Sequence, residues 1–242
     1  MKPLVLLAPS EEKAGGGHTG KLSETAAQKW VREKLVELVV HGGPDACSRA
    51  FAVKGGALDK ACDEALALRH PVPLMAALER YRGIAFGALD APSLSRETWK
   101  QIFILSNLRG LVRGDEMVPP YKLKMGGIPR LKAHWKMQLK PLLAAIPMGT
   151  LWELLPSECA DLLKGWDRPR HTLEIVNEEG KIISHFSKLY RGHVARWILE
   201  HERGEPSKVN RSKIAGCRWD RIEDNASGGK MLRLVVLLGA GA

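Results

Sequence analysis

A short apolar run opens the stretch LVLLAPSEEKAGGGHTGKL, residues 4–22, and gives way there to a polar, glycine-rich loop. The run predicts a buried β-strand over residues 3–8, because its length and apolar content suit a strand that is covered on both faces. In α/β proteins, ligand pockets commonly open where a strand ends. Ser10, Glu11 and Lys13 therefore form a candidate polar site, although a helix-capping serine followed by solvated charges explains the same residues.

Two catalytic loop motifs share part of this stretch, and both are incomplete. Residues 15–21 have the G-x-x-x-x-G-K spacing of a nucleotide-binding loop, but Leu22 stands where a Ser or Thr would bind magnesium. Ser10 and Lys13 have the S-x-x-K spacing of some acyl-transfer enzymes, but the accompanying S-D-N and K-T-G elements are missing. Neither motif is supported, and no cofactor and no metal site are expected.

The charge balance of the chain favours a polyanionic partner. The 242 residues include 37 Lys and Arg against 27 Asp and Glu, which gives a net charge of +10. A surplus of this size favours nucleic acid, nucleotides or an anionic surface, and the alternative is a basic protein without such a partner. The length suits one large domain or two small ones.

The sequence favours a cytoplasmic protein. No apolar run approaches the roughly 18 residues needed to span a membrane, and the N-terminal run is too short for a signal peptide. The cysteines are widely spaced and form no C-x-x-C pair, which fits a reducing compartment. They are Cys47, Cys62, Cys159 and Cys217.

The remaining patterns predict a mixed α/β (α+β) fold in a single domain over residues 1–242. Helical patterns are followed by Gly or Pro stop signals, and apolar runs predict strands. The predicted helices cover residues 23–41, two short segments within 45–68, and 188–202. The predicted strands cover residues 99–106, a hairpin formed by 172–177 and 181–186, and 231–238.

Two segments are candidates for nucleic-acid binding. The turn at residues 53–56, with Lys54 and Gly55, joins two short helices and can present backbone N–H groups to a phosphate, although such turns are common. The block YKLKMGGIPRLKAHWKMQLK, residues 121–140, interleaves basic side chains with aromatic ones that can stack on bases. Its candidate residues are Lys124, Arg130 and Lys132. The alternative for this block is a solvated basic helix whose aromatic residues belong to the core.

Four blocks in matching order resemble the YaaA family. They are LLAPSEEK (6–13), YRGIAFGALDAPSLS (81–95), ILSNLRGLVRGDEMVPPYKLKMG (104–126) and KIISHFSKLYRGHVARWILEH (181–201). The third is the most specific. The chain departs from the family pattern in a few places, which are Glu12 for glycine, Arg109 for an aromatic residue, Gly114 for proline, Lys122 for arginine and Cys159 for tyrosine.

The resemblance implies a mixed sheet, a positively charged cleft and a small helix-hairpin-helix-like element over residues 45–70. It also implies a cytoplasmic bacterial protein that is linked to peroxide stress and to lower free iron. Duplex or distorted DNA is the partner that it implies. The charge of the chain and its basic blocks agree with DNA binding, whereas nothing in the residues speaks independently for iron handling.

The polar residues of these blocks suggest a second hypothesis, a nucleotide or nucleoside N-glycosidase. Here Glu158 or Glu11 would stabilise an oxocarbenium-like centre or activate water, and Tyr121 would stack on the base or protonate it. The substrate and its phosphate would be held by Ser10, Lys13, Arg113, Lys122, Ser157, Lys188 and Arg191. A third interpretation is a purely structural or regulatory binding protein.

Overall fold

The computed structural model describes residues 2–183, 187–201 and 204–237. Within these residues the strands are β1 (Pro3–Leu7), β2 (His18–Gly20), β3 (Val72–Ala76), β4 (Ile102–Ser106), β5 (Gly110–Arg113), β6 (Met117–Val118), β7 (Thr150–Leu154), β8 (His171–Val176), β9 (Cys217–Asp224) and β10 (Lys230–Val236). The helices are α1 (Ala26–His41), α2 (Gly43–Phe51), α3 (Gly56–Ala67), α4 (Ala77–Arg80), α5 (Ile84–Leu89), α6 (Arg96–Trp99), α7 (Leu131–Ala144), α8 (Ser157–Ala160), α9 (Ser187–Glu200) and α10 (Pro206–Val209).

The chain divides into two compact units. The first unit is built from residues 1–8, 84–103 and 147–242, so far as these are described, and the second from residues 9–83 and 104–146. The prediction of a single domain over residues 1–242 stays a prediction.

The first unit carries a mixed sheet, which confirms the mixed α/β fold class. β1 pairs in parallel with β7, β7 with β8, and β8 with β10, whereas β10 pairs with β9 in the antiparallel sense. All five residues of β1 are buried, which is typical of a parallel strand covered on both faces. Val5 N–H donates to Gln101 O over 2.9 Å at the start of β4.

Helices α5 and α9 of the first unit pack closely through Gly192. A Cβ atom at this position would lie 2.3 Å from Ala85 O and 2.7 Å from Ala88 Cβ, so only glycine permits the approach. The opposite side of α9 buries Val194 and Ile198. The close packing explains why a glycine stands inside a helix, where it otherwise costs about 1 kcal/mol relative to alanine.

The second unit combines helices α1–α3 and α7 with a small antiparallel sheet in the order β2-β3-β6. Residues 104–106 of β4 also belong to this unit, and β5 lies next to β4. Thr25 caps α1 through a capping box with Gln28, so the helix begins at Ala26, three residues after the predicted start at Ser23.

Most predicted elements are present, and their ends differ. The strand at residues 3–8 and the two short helices within 45–68 are confirmed. The strand predicted from residue 99 begins only at Ile102, because α6 occupies the preceding residues. The C-terminal strand was predicted without its antiparallel neighbour β9, whose charged, half-exposed sequence hides its pairing.

The predicted hairpin over residues 172–186 is only partly formed. Its turn closes as expected, with Asn177 N–H donating to Lys181 O over 2.9 Å. The second arm, however, is reduced in the described residues to one bridge between Val176 and Ile182, and residues 184–186 of the predicted strand lie outside them. Residue 202 of the predicted helix and residue 238 of the predicted strand also lie outside the described part.

The described part of the chain lacks both membrane-spanning helices and clusters of metal ligands. No helix there has both the length and the apolar character needed to cross a bilayer. The same residues contain no group of three or more His, Cys, Asp or Glu side chains arranged to hold a metal ion.

Candidate functional site

In the second unit, the polar loop after Pro9 is fixed against residues 80–83. Ala14 N–H donates to Arg80 O (2.8 Å), and Arg82 N–H donates to Glu12 O (3.0 Å). Ser10 lies against Gly83, where a Cβ atom would come within 2.9 Å of the serine Oγ and where φ is +96°. The loop is therefore a defined structure rather than a solvated connection.

Arg80 holds the same loop from inside the protein. Its side chain is fully buried and donates to the carbonyl oxygens of Ala14, Gly16 and Pro73. Burial lowers the pKa of Arg80, and the charge of Glu64 opposes this effect. These three bonds and a fourth from Nε to Val118 O explain how a guanidinium is accommodated in the core.

Lys13 lies on the faces of two tyrosine rings. Its Nζ atom donates to Ser10 O over 2.9 Å and lies 4.1 Å from the centre of the Tyr121 ring and 5.3 Å from that of Tyr81. Burial, together with the charge of Lys122, lowers the pKa of Lys13 to about 7. The rings stabilise the ammonium form, but this contribution is smaller than the cost of desolvation.

The two tyrosines belong to a buried hydrogen-bonded chain. Tyr121 Oη lies 2.8 Å from Tyr81 Oη and 2.9 Å from Ser106 Oγ, which in turn accepts from Arg109 N–H. Burial raises the pKa of both tyrosines. Because the Tyr121 ring is only 2% exposed, it cannot serve as a surface on which a base stacks.

Arg109 adds a further buried cation to this region. It is 4% exposed, and its Nη2 atom donates to Ser23 O over 3.0 Å. Within the described residues, its Nε and Nη1 atoms are buried without a hydrogen-bond partner. Such unsatisfied donors are rare in native proteins, and they add positive potential beside the tyrosine chain.

Glu11 connects the polar loop to the basic block. Its carboxylate pairs with Lys124 Nζ over 2.9 Å, and Lys124 N–H donates to Ala50 O over 3.0 Å. Gly127 packs directly on the same residue, because a Cβ atom there would lie 2.6 Å from Ala50 O. The loop at residues 124–127 therefore lies on the end of α2, next to the turn at residues 53–56.

The remaining basic candidates of the second unit are exposed. Lys54 and Gly55 form the turn between α2 and α3, and Arg130 and Lys132 lie at the start of α7. Trp135 is fully buried, as is nearly all of Tyr121. The prediction that these aromatic residues stack on bases was wrong, because both rings are buried in the core. Only residues 131–140 of the block are helical, and its nucleic-acid-binding role stays a prediction.

Arg113 pairs with a carboxylate two residues further along the chain. Its guanidinium makes two hydrogen bonds to Asp115, with Nε to Oδ1 at 2.5 Å and Nη2 to Oδ2 at 3.0 Å. Lys122, in contrast, is half-buried and acts electrostatically on Lys13. The predicted phosphate-binding roles of both residues stay predictions.

The first unit holds the other predicted residues. Ser157 and Glu158 begin the short helix α8 and are exposed, as is Lys188 on α9. Burial lowers the pKa of Arg191 to about 10, although Glu153 and Cys159 oppose this effect. Its Nε and Nη1 atoms are buried and have no hydrogen-bond partner among the described residues.

Glu153 is not the missing partner of Arg191. This carboxylate is 7% exposed and pairs with Arg170, whose Nε atom lies 2.6 Å from Glu153 Oε2. Among the residues that the structure describes, no anion is therefore dedicated to the charge of Arg191. The catalytic and substrate-binding roles predicted for Ser157, Glu158, Lys188 and Arg191 stay predictions.

The structure brings some predicted residues together and adds others. Lys13 and Tyr121 are in contact, and Glu11 pairs with Lys124. The sequence interpretation missed Arg80, Tyr81, Ser106 and Arg109 as members of the site. Tyr81 and Ser106 lie in the quoted family blocks, so a signal was present for them, whereas no local pattern marks Arg80 as buried.

Comparison with known proteins gives a consistent result. The family model described as "Peroxide stress protein YaaA" matches residues 3–222. A UPF0246 protein of Corynebacterium glutamicum (strain ATCC 13032) is 28% identical over 253 residues, which cover 96% of this chain and 100% of that protein. A UPF0246 protein of Streptomyces coelicolor is 29% identical over 220 residues, which cover 81% and 82% of the two chains.

Proposed function

Because this chain belongs to the peroxide stress protein YaaA family, together with the UPF0246 proteins, we propose that it binds duplex DNA as its contribution to peroxide stress. The proposed binding region lies in the second unit and consists of Lys54, Gly55, Lys124, Arg130 and Lys132. We call it the basic surface. A net charge of +10 favours such binding, because cationic side chains release counterions from the phosphates.

The observation that carries the proposal is the packing of the 124–127 loop on α2. The hydrogen bond from Lys124 N–H to Ala50 O holds this loop at the end of the helix, and α2 ends one residue later at Phe51. Lys124 therefore lies beside the turn that carries Lys54. Two segments that are distant in sequence thus supply cations to one region, as recognition of a phosphate backbone requires.

The turn itself has the properties of a phosphate contact. Gly55 has φ of +57°, a conformation that residues with side chains rarely adopt, and no side chain caps the start of α3. A phosphate oxygen can occupy the place of a capping oxygen at such a helix start. The neighbouring Lys54 is exposed and supplies the charge.

A salt series of duplex binding tests this proposal. The change is a triple variant, Lys54→Gln, Lys124→Gln and Arg130→Gln, and fluorescence anisotropy with a labelled duplex measures the dissociation constant between about 50 and 200 mM salt. Each lost phosphate contact lowers the slope of log affinity against log salt by about 0.9, so the slope should fall by up to about 2.7. An unchanged slope contradicts the proposal.

The matched control removes the same charge from the first unit. Lys100→Gln, Lys164→Gln and Arg218→Gln change three exposed cations that pair with nearby carboxylates. We expect this variant to keep most of the wild-type salt slope. Equal losses in both triple variants would mean that net charge, rather than the basic surface, determines binding.

A nucleotide or nucleoside N-glycosidase is the second candidate, and Arg191 is the observation that favours it. A buried guanidinium with two unsatisfied donors suits the phosphate of a nucleotide. In this candidate, Glu158 supplies the carboxylate that assists cleavage of the base–sugar bond.

Chromatography of a nucleotide panel tests the second candidate. Free base and ribose phosphate should appear with the wild type, and Glu158→Gln should slow their release by about a hundredfold or more. Arg191→Met should raise KM for phosphorylated substrates more than for nucleosides. A folded wild-type protein that releases no base from any substrate contradicts this candidate.

A further inference from the structure

The amine of Lys13 is held in a fixed position without an ion pair. Its Nζ atom donates a hydrogen bond to Ser10 O, and the rings of Tyr121 and Tyr81 lie beside it. The backbone of Lys13 pairs with that of Tyr81 in an antiparallel bridge, which fixes the point from which the side chain extends. Among the described residues, no carboxylate lies within ion-pair distance of Nζ.

Burial leaves much of the Lys13 amine unprotonated at neutral pH. Burial is the main cause of its pKa of about 7, and the cations Lys122 and Arg80 act in the same direction. Glu64 and Glu11 oppose the shift without cancelling it. A neutral, desolvated lysine amine is a nucleophile for carbonyl carbons, and it is a poor binder of phosphate because half of it carries no charge.

This amine lies close to the basic surface. Glu11, two residues before Lys13, pairs with Lys124. The backbone of Lys124 is hydrogen-bonded to the end of α2, beside the turn at residues 53–56. Glu64 of α3 is near enough to influence the Lys13 amine. The loop that carries the nucleophile is therefore attached to the residues for which we propose phosphate contacts.

We propose that Lys13 forms a covalent imine with the aldehyde of a base-free deoxyribose in duplex DNA. The inference rests on the proposed duplex binding and extends it to a damaged substrate. Loss of a base leaves a sugar that opens to an aldehyde at C1′. Rotation of this sugar out of the duplex costs little free energy, because no base pairing or stacking has to be broken. The sugar can then reach a half-buried amine that an intact nucleotide cannot.

The chemical step needs no oxidant, reductant or further reactant. Lys13 Nζ attacks C1′, so a C–N bond forms and the aldehyde oxygen becomes the hydroxyl of a carbinolamine. This oxygen then leaves as water together with both amine hydrogens, and a C=N bond remains. Hydrolysis reverses the step and releases the unchanged lysine.

Borohydride trapping tests the inference. Wild-type protein is incubated with a duplex that contains one abasic site, the imine is reduced to a stable amine, and peptide mass spectrometry identifies the modified lysine. At pH 7 about half of the Lys13 amines are neutral, against about 0.03% for a lysine of pKa 10.5, so the labelling of Lys13 should exceed that of surface lysines by about a thousandfold.

The variants separate imine formation from charge. Lys13→Arg keeps the positive charge but has no amine that forms an imine, so trapping should fall to background. Lys29→Arg makes the same substitution at an exposed lysine that pairs with Glu33, and its trapping should equal that of the wild type. Because the wild-type adduct is mapped directly, the test does not depend on whether Lys13→Arg folds.

Binding of the same abasic duplex, measured without borohydride, distinguishes failure of the imine proposal from failure of the duplex-binding proposal. A duplex that binds but yields no adduct at Lys13, or yields adducts spread over surface lysines, overturns the imine and leaves duplex binding intact. If neither the intact nor the abasic duplex binds, both the proposed function and the imine are overturned.

Discussion

Replacement of Glu11 by glutamine separates DNA binding from carboxylate catalysis, because the two functions predict opposite results. Glu11 lies 2.9 Å from Lys124 Nζ, and the two side chains are 63% and 45% exposed. In duplex binding the carboxylate competes with phosphate for this lysine. In N-glycosidase catalysis, the same carboxylate would take part in the reaction.

The size of the expected gain follows from the exposure of the pair. Solvent-exposed ion pairs contribute about 0.2–1 kcal/mol, so release of Lys124 should strengthen duplex binding by no more than about fivefold. Because Lys124 is already one of the proposed phosphate contacts of the wild type, the salt slope should not change. Loss of a catalytic carboxylate would instead reduce turnover by about a hundredfold or more.

Fluorescence anisotropy at several salt concentrations measures the dissociation constant of the duplex and the salt slope. Glu33→Gln is the matched control, because it makes the same charge change at an exposed residue of α1 that pairs with Lys29. Glu11→Gln should bind the duplex more tightly than this control, with the same salt slope. Equal or weaker binding than the control would refute the assignment of Lys124 to the basic surface.

Two further predictions concern the loop on α2 and the buried amine. Gly127→Ala should weaken duplex binding in the anisotropy assay without changing any charge, because its Cβ atom would collide with Ala50 O, whereas Gly126→Ala, with no atom within 4 Å of its Cβ, should bind like the wild type. Equal affinities would contradict the role of this packing. Because the pKa of Lys13 falls from 10.5 to about 7 on folding, the unfolded chain binds more protons between these values, so the stability of the wild type should rise with pH there by at most about 1.4 kcal/mol per unit. Lys13→Met should lack this rise in urea denaturation at pH 7 and 9, and parallel pH profiles would contradict the burial of the amine.

Local patterns in the sequence were sufficient for the elements whose determinants are local. The apolar run of β1 predicts its own burial, and the glycines at positions 55 and 56 mark the turn between α2 and α3. The basic character of the 121–140 block is also visible without a structure. These features depend on composition, period and turn chemistry within a few residues.

The environment of individual side chains was decided by tertiary structure. Lys13 looks like a solvated loop residue, yet Tyr81 and Tyr121 bury it and change its pKa. Trp135 belongs to a basic segment and is nevertheless fully buried. β9 escaped prediction because its charged sequence acquires a strand partner only when β10 is in place.

The physical reason for this division is the range of the interactions. Hydrophobic period and backbone preference act between near neighbours, so the order of residues contains them. Desolvation and hydrogen bonding in the core depend on groups that are distant in sequence, such as residues 13, 81 and 121. The sequence therefore determined the mixed α/β elements and the basic character of this protein, whereas only the tertiary structure decided that one of its lysines is a half-buried amine with a pKa of about 7.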